Sequence, residues 1–292
     1  MSIFHNYQAP AVNRKQVGDT LVTLVSDGYL DASFELLSGI TGSQAEAVLQ
    51  QRGVSALPRM NINVYVIQNG KQTILVDSGA GNFKGWGGRL PVALAAAGID
   101  PLQIDTILLT HAHPDHIGGL AGPLQTPHFR NVERLFVHQG ELAFWRNKTL
   151  QASAPEGFKP AFALAQNAFT AYEQKLVPFK HDDILPGIQA VALPGHTPGH
   201  SGYVIGDEKE SLLIWGDIVH FPHIQVEHPD VTIAFDSDPA AAAATRKRLL
   251  ERVATDKLIV SGMHFNAPIT ATVKQGAAQQ FTLHYDGWSP VV

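Results

Sequence analysis

An α/β fold is what this 292-residue sequence predicts, and three observations predict it. Short apolar or β-branched runs alternate along the chain with stretches of helical periodicity, the pattern of strands covered by helices. Four of the apolar runs end abruptly in His or Asp, at 111–116, His196, Asp217 and His264, each flanked by Gly or Pro. Such residues at the carboxyl ends of buried strands stand where open α/β sheets place their sites. Finally, 45% hydrophobic and 16% charged residues suffice for a sizeable core, in one large domain or two tightly packed halves. We take residues 1–292 as a single domain.

The elements follow in order. Residues 20–25 alternate and are β-branched, a strand that Asp27-Gly28 is expected to turn. Residues 43–51 read as a short helix with Ser43 as cap, Glu46 three residues on, and Gly53 after its end. Residues 61–67 and 73–77 are two strands joined at Asn69-Gly70, a strong hairpin turn. The glycine-rich stretch 78–88 lacks the Lys-Ser/Thr ending of a nucleotide loop. It reads as a flexible loop with Trp86 near its tip. A helix over 89–97 closes at Gly98, and 105–109 is the strand that feeds the histidine cluster. After a strand at 134–137, residues 139–175 are helical and rich in aromatics, broken at Pro155-Glu156-Gly157. That segment is expected to form a helical cap. Strands follow at 188–193, 203–205 and 212–215. Asp238 and Pro239 open a helix that runs to 252, before a last strand at 257–260.

Composition excludes several function classes. A net charge of -5 disfavours a nucleic-acid partner, which normally needs a basic face. No apolar run reaches the roughly 18 residues that span a membrane. Residues 1–7 show no basic segment followed by an apolar one. A soluble, cytoplasmic protein is expected, with a homodimer left open. The chain has no cysteine, so any metal must be held by His and carboxylate side chains.

The stretch His111-Ala112-His113-Pro114-Asp115-His116 packs three imidazoles and a carboxylate into six positions. That is metal-ligand spacing. Gly118-Gly119 just after it lets backbone pass close by. As the fourth member of a repeated pattern, His264 reads as a ligand rather than an isolated histidine.

This set closely resembles the metallo-β-lactamase superfamily. The matching residues are His111-x-His113-x-Asp115-His116, His196 within Gly195-His196-Thr197-Pro198-Gly199-His200, Asp217 and His264, with Val76-Asp77-Ser78-Gly79 as a further segment. The resemblance covers roughly residues 20–285. It implies an αβ/βα sandwich with two metal ions at one edge. It implies that His111, His113 and His196 hold one ion, that Asp115, His116 and His264 hold the other, and that Asp217 bridges them. Asp77 and His200 are then expected to orient ligands through hydrogen bonds.

Departures from the family pattern narrow the branch. Asp217 stands where the main β-lactamase subclass carries a cysteine. His113 stands where flavodiiron proteins carry Glu, which favours zinc. His220 occupies the place of a Tyr in the well-known acyl-homoserine lactonases. No basic cluster for glutathione is evident, as glyoxalase II would need. The ligand spacing and the segments 215–220 and 231–239 look most like the methyl parathion hydrolase branch. That likeness implies a dinuclear zinc hydrolase whose metal-bound hydroxide attacks a lactone, aryl ester or phosphotriester. Mn2+, Co2+ or Fe2+ could stand in for Zn2+. Asp115 is the expected proton acceptor and His220 the expected donor to a substrate oxygen. Phe83, Trp86, Phe144, Trp145 and Phe221 are expected to wall a pocket for a small uncharged ester. The alternatives left open are an iron-dependent oxygenase or oxygen reductase on the same fold, a glyoxalase II-like thioesterase, and a metal-stabilised binding protein.

Overall fold

The structure is a computed structural model that describes residues 11–180, 182–207, 209–276, 280–287 and 289–290. Residues 1–7, read above for a targeting signal, lie outside the described residues.

Strands β1 (Val12–Val17) and β2 (Thr20–Asp31) form an antiparallel hairpin. Asp27-Gly28 does not turn β2. The strand runs on to Asp31 through a bulge between Ser26 and Gly28. The bulge aims the buried Asp27 carboxylate away from the ladder, where it accepts the N–H groups of Ala80, Gly88 and Leu90. The glycine-rich loop is therefore pinned to β2 rather than free.

A short strand β3 (Leu37–Ser38) precedes helix α1 (Gly42–Gln51). Its cap is Thr41, not Ser43: the Thr41 hydroxyl accepts the Gln44 N–H, and the Gln44 carboxamide accepts the Thr41 N–H. This reciprocal box outcompetes a cap placed two residues later. β4 (Arg59–Gln68) and β5 (Thr73–Val76) pair around the Asn69-Gly70 turn. Helix α2 (Leu90–Ala96) crosses to the parallel strand β6 (Thr106–Leu108), which runs into the single turn α3 (Pro114–Ile117). β7 (Arg134–His138) leads to three helices, α4 (Gln139–Trp145), α5 (Lys148–Ser153) and α6 (Lys159–Ala171), and then to β8 (Leu176–Phe179).

The second half opens with β9 (Asp182–Leu185), β10 (Ile188–Ala192), β11 (Ser201–Gly206) and β12 (Ser211–Ile214). The turn α7 (Pro222–Gln225) and β13 (Thr232–Ile233) precede α8 (Pro239–Thr255), whose N-cap is Asp238. The remaining strands are β14 (Ile259–Ser261), β15 (Ala271–Gln275) and β16 (Phe281–Tyr285).

Two mixed sheets result among the described residues, in the orders β1-β2-β4-β5-β6-β7-β8 and β16-β15-β14-β12-β11-β10-β9. Pairing is parallel from β5 to β8 and between β12 and β14, and antiparallel elsewhere. Side chains alternate along β4. Tyr65 and Ile67 enter the core between the sheets with Leu108, Tyr203, Ile205 and Ile214. Val64 and Val66 face outwards and pack beneath Leu90, Leu94, Phe162 and Phe169 of α2 and α6. On the far side, Leu213 and Val260 pack beneath Leu249, Leu250 and Val253 of α8. This layering is the αβ/βα sandwich of the metallo-β-lactamase fold. It brings the carboxyl ends of β5, β6, β12 and β14 to one edge.

Candidate metal centre

Each chemical side chain sits just past the end of a strand. β6 ends at Leu108 and delivers His111, His113, Asp115 and His116. His196 follows β10, Asp217 follows β12, and His264 follows β14. The turns that make this possible are tight. A Cβ on Gly119 would meet the Ser78 carbonyl oxygen at 2.0 Å, and one on Gly118 the Ala80 oxygen at 2.2 Å. The backbone that passes so close to the glycine pair is therefore the loop after β5, and Ser78 N–H bonds the His116 carbonyl.

The structure brings seven predicted side chains together, all of them buried. His111 Nε2, His113 Nδ1 and His196 Nε2 form a triangle with sides of 2.9–3.1 Å. Beside it, Asp217 Oδ2 lies 3.1 Å from His116 Nε2 and 3.0 Å from His264 Nε2. Asp115 Oδ2 lies 3.5 and 3.6 Å from the same two nitrogens. That Asp217 oxygen is also 3.7 Å from His111 Nε2 and 3.6 Å from His196 Nε2. It faces both groups at once.

Four of the imidazoles have their far nitrogen tied. His111 Nδ1 bonds the Thr110 hydroxyl at 3.1 Å, and that hydroxyl donates to Asp77 at 2.7 Å. His116 Nδ1 donates to Asp77 Oδ2 at 2.8 Å, His196 Nδ1 to Asp236 Oδ1 at 2.9 Å, and His264 Nδ1 to the Asn61 carbonyl at 2.7 Å. A nitrogen committed as donor leaves the other with its lone pair, here turned into the cluster. Asp77 takes a left-handed backbone, φ 59°, a conformation costing about 1–3 kcal/mol in a non-glycine residue. Two bonds to Thr110 and one to His116 hold it there. His200 acts on the Asp217 backbone instead: it donates to the Leu193 carbonyl at 2.9 Å and accepts the Asp217 N–H at 2.9 Å.

Electrostatics divides the cluster. Burial, with His116 nearby, holds His111 well below the usual histidine range. Burial and the neighbouring histidines do the same to His196, and burial lowers His113 to about 4. Burial also opposes charge on His116 and His264, but Asp217 and Asp115 outweigh it and raise both, His116 strongly. Burial works against the Asp217 charge too, and His116 and His264 overcome it, pulling Asp217 well down.

Three buried polar atoms at the centre lack any hydrogen-bond partner among the described residues: Asp217 Oδ1 and both ring nitrogens of His220. His220 Nε2 lies 3.4 Å from Asp217 Oδ2. Unsatisfied buried atoms are costly. Together with converging lone pairs and a His-and-carboxylate donor set, they fit a pair of divalent cations with open positions.

A cleft opens over the cluster, and Asp115, Asp217, His220 and His264 reach its floor. Its apolar walls include Leu30, Met60, Phe83, Trp86, Phe158 and Phe235. Phe83 and Trp86 are where the sequence placed them, but Phe144, Trp145 and Phe221 are not on the wall. Trp145 is fully buried and its indole N–H donates to Glu141 at 2.8 Å. Phe144 packs on Phe162, and Phe221 on Phe34. Sequence reasoning missed Glu141 and Asp236. A buried acid in an α-helical first turn, or after Phe235, carries no motif. Only their partners, distant in the chain, reveal them.

The family model of the metallo-beta-lactamase superfamily matches residues 57–264. A crystal structure of the hydrolase AbOPH, of the beta lactamase superfamily, superposes with a TM-score of 0.90. It is 28% identical, covering 97% of this chain and 100% of that one. AidC, a dizinc quorum-quenching lactonase in complex with a product, superposes with a TM-score of 0.87 at 26% identity, over 96% of this chain and 99% of that one. An N-acyl homoserine lactonase of Bacillus sp is 26% identical over 172 residues, 59% of this chain and 60% of that protein's length. Among the described residues no helix is long and apolar enough to cross a membrane.

Proposed function

We propose, from the premise that this chain belongs to the metallo-beta-lactamase superfamily, that it is a dinuclear zinc hydrolase of lactones and carboxylic esters. Phosphotriesters would be side substrates, as expected of a relative of the methyl parathion hydrolase branch. The observation that carries this reading is Asp217 Oδ2, placed between two groups of ligand atoms. His111, His113 and His196 would hold one ion, and Asp115, His116 and His264 the other, with Asp217 shared. Two bound divalent ions would supply an acidified water, its pKa lowered from 15.7 towards about 7, and a Lewis acid for the substrate oxygen.

The chain's own residues do the rest. Asp115, at the cleft floor beside His116 and His264, accepts the proton that the nucleophile releases and returns it to the leaving alkoxide. His220, with neither nitrogen committed, donates to the substrate oxygen as charge builds there. The aromatic walls take up an uncharged acyl or aryl group and exclude water. The segment 139–175 acts as a cap: Gly157, Phe158 and Ala161 stand over the cleft. A cytoplasmic, single-domain enzyme, alone or as a homodimer, completes the proposal. AidC and AbOPH support the hydrolytic reading by likeness.

The test is a panel of lactones, aryl esters and phosphotriesters on metal-analysed protein, run with and without oxygen. The expected result is anaerobic hydrolysis of lactone or ester that chelator abolishes and zinc restores. Oxygen uptake in step with product, without anaerobic hydrolysis of any of the three classes, would establish the redox alternative instead.

A further inference from the structure

We propose that Glu141 is a positioning residue, a carboxyl strap that sets the spacing of the three-nitrogen half of the centre. The inference rests on the two-ion reading above. Glu141 lies in the first turn of α4 and is fully buried, and its hydrogen-bond partners are none of the seven clustered side chains. Its Oε2 accepts the Ala112 N–H at 3.0 Å and the Trp145 indole N–H at 2.8 Å. Its Oε1 accepts the Gly199 N–H at 2.9 Å and the Thr197 hydroxyl. Ala112 separates His111 from His113, and Thr197 follows His196. One carboxylate thus ties together the two loops that deliver all three nitrogens of the triangle. Among the described residues it has no such bond to the segments that carry Asp217 or His264, and on the 111–116 loop it bonds only at Ala112, between the two histidines of the triangle.

The chemistry demands a carboxylate. All four partners are donors, and three of them (two backbone amides and an indole) cannot reverse their role. A carboxamide at this position would aim N–H at N–H on one side, whichever way it is flipped. Burial pushes the Glu141 carboxyl above its ordinary value, and the four donors offset only part of that rise. The fit is close: a Cβ on Gly199 would meet Glu141 N at 2.7 Å and Cγ at 3.1 Å.

The test compares the parent protein with Glu141→Gln and Thr197→Val. Zinc affinity is read by competition with a chromophoric chelator, and cadmium NMR of substituted protein reports the nitrogen-rich and oxygen-rich ligand sets separately. In the parent, two ions are expected. In Glu141→Gln, one ion should bind about 10–100-fold more weakly, the range for losing an outer partner of metal ligands. The nitrogen-rich cadmium signal should be the one lost, with the oxygen-rich one kept. Thr197→Val removes one donor of four and should weaken the same ion by less, which decides the matter should Glu141→Gln not fold. Equal weakening of both ions, or none, overturns the strap while leaving the dinuclear reading in place. A parent that binds no ion overturns both.

Discussion

The two halves of the centre are made from different chemistry. On one side, three imidazole nitrogens converge with no carboxylate closer than the 3.6–3.7 Å of Asp217 Oδ2. Burial shifts those rings below the usual histidine range. On the other side, His116 and His264 flank the same oxygen at 3.0–3.1 Å, and carboxylates raise both rings. The first half is a set of converging nitrogens suited to a cation. The second can satisfy itself with protons, so an ion must displace them. The outer supports differ as well: Thr110, Asp236 and Glu141 serve the first, whereas Asp77 and the Asn61 carbonyl serve the second. Because Asp77 also holds the Thr110 hydroxyl, it is the outer link between the two.

Removing the shared atom should have the largest effect. Asp217→Asn is expected to lower kcat/KM by roughly 10³-fold or more, beyond the 10–100-fold of an outer partner, and to disturb both ions. Turnover and metal content close to the parent's would end the bridging assignment. The next comparison is His113→Ala against His264→Ala. Each should cost one ion, and cadmium NMR should show a different signal lost in each. If both variants lose the same signal, the division into halves is wrong.

Asp236→Asn removes the charge that orients His196 Nδ1. The expectation is about 10–100-fold weaker binding of the nitrogen-rich ion alone, read by chelator competition.

Metal-stripped protein should show the division through pH. His113 and His200 are each lowered to about 4 by burial. Between that value and the unfolded 6.5, the unfolded chain binds more protons than the folded one. Their stability contribution is therefore present above 6.5 and lost as pH falls towards 4. His116 and His264 are raised, so their contribution is present below 6.5 and lost as pH rises through their folded values. Tm against pH should be a dome, with an acid limb from buried neutral rings and an alkaline limb from the paired ones. A Tm that rises steadily on acidification from 6.5 to 4 would contradict the first assignment. The smallest effect belongs to the wall. Phe158→Ala and Trp86→Ala each remove part of the apolar wall and should raise KM for bulky aryl esters several-fold, with metal content untouched. Trp145→Ala should instead disturb Glu141 and metal binding, because its indole never reaches the cleft.

Much of the centre was legible in residue order. His111, His113, Asp115 and His116 lie within six positions, and each remaining member follows an apolar strand, so local pattern alone marked all seven. The central strands and the α8 cap at Asp238 were legible for the same reason. Seven of the described strands escaped: β1, β3, β8, β9, β13, β15 and β16. Polar runs such as Val-Asn-Arg-Lys-Gln-Val in β1 bury little, and pairing with a neighbour is what makes them strands. Asp27 was read as a turn because a buried carboxylate satisfied by amides 53–63 residues away has no local signature.

Sequence by itself determined the donor set, its grouping around strand ends and the α/β class, because ligand spacing and strand patterning are short-range. Tertiary structure alone decided which carboxylates stand behind the ligands and which aromatics face the cleft. Glu141 reaches residues 56 and 58 positions away and Asp236 one 40 positions away, and the direction of Trp145 depends on the Glu141 carboxylate it bonds. A side chain's role there is set by what packs against it, and that is fixed only when both sheets and their helices close around the site.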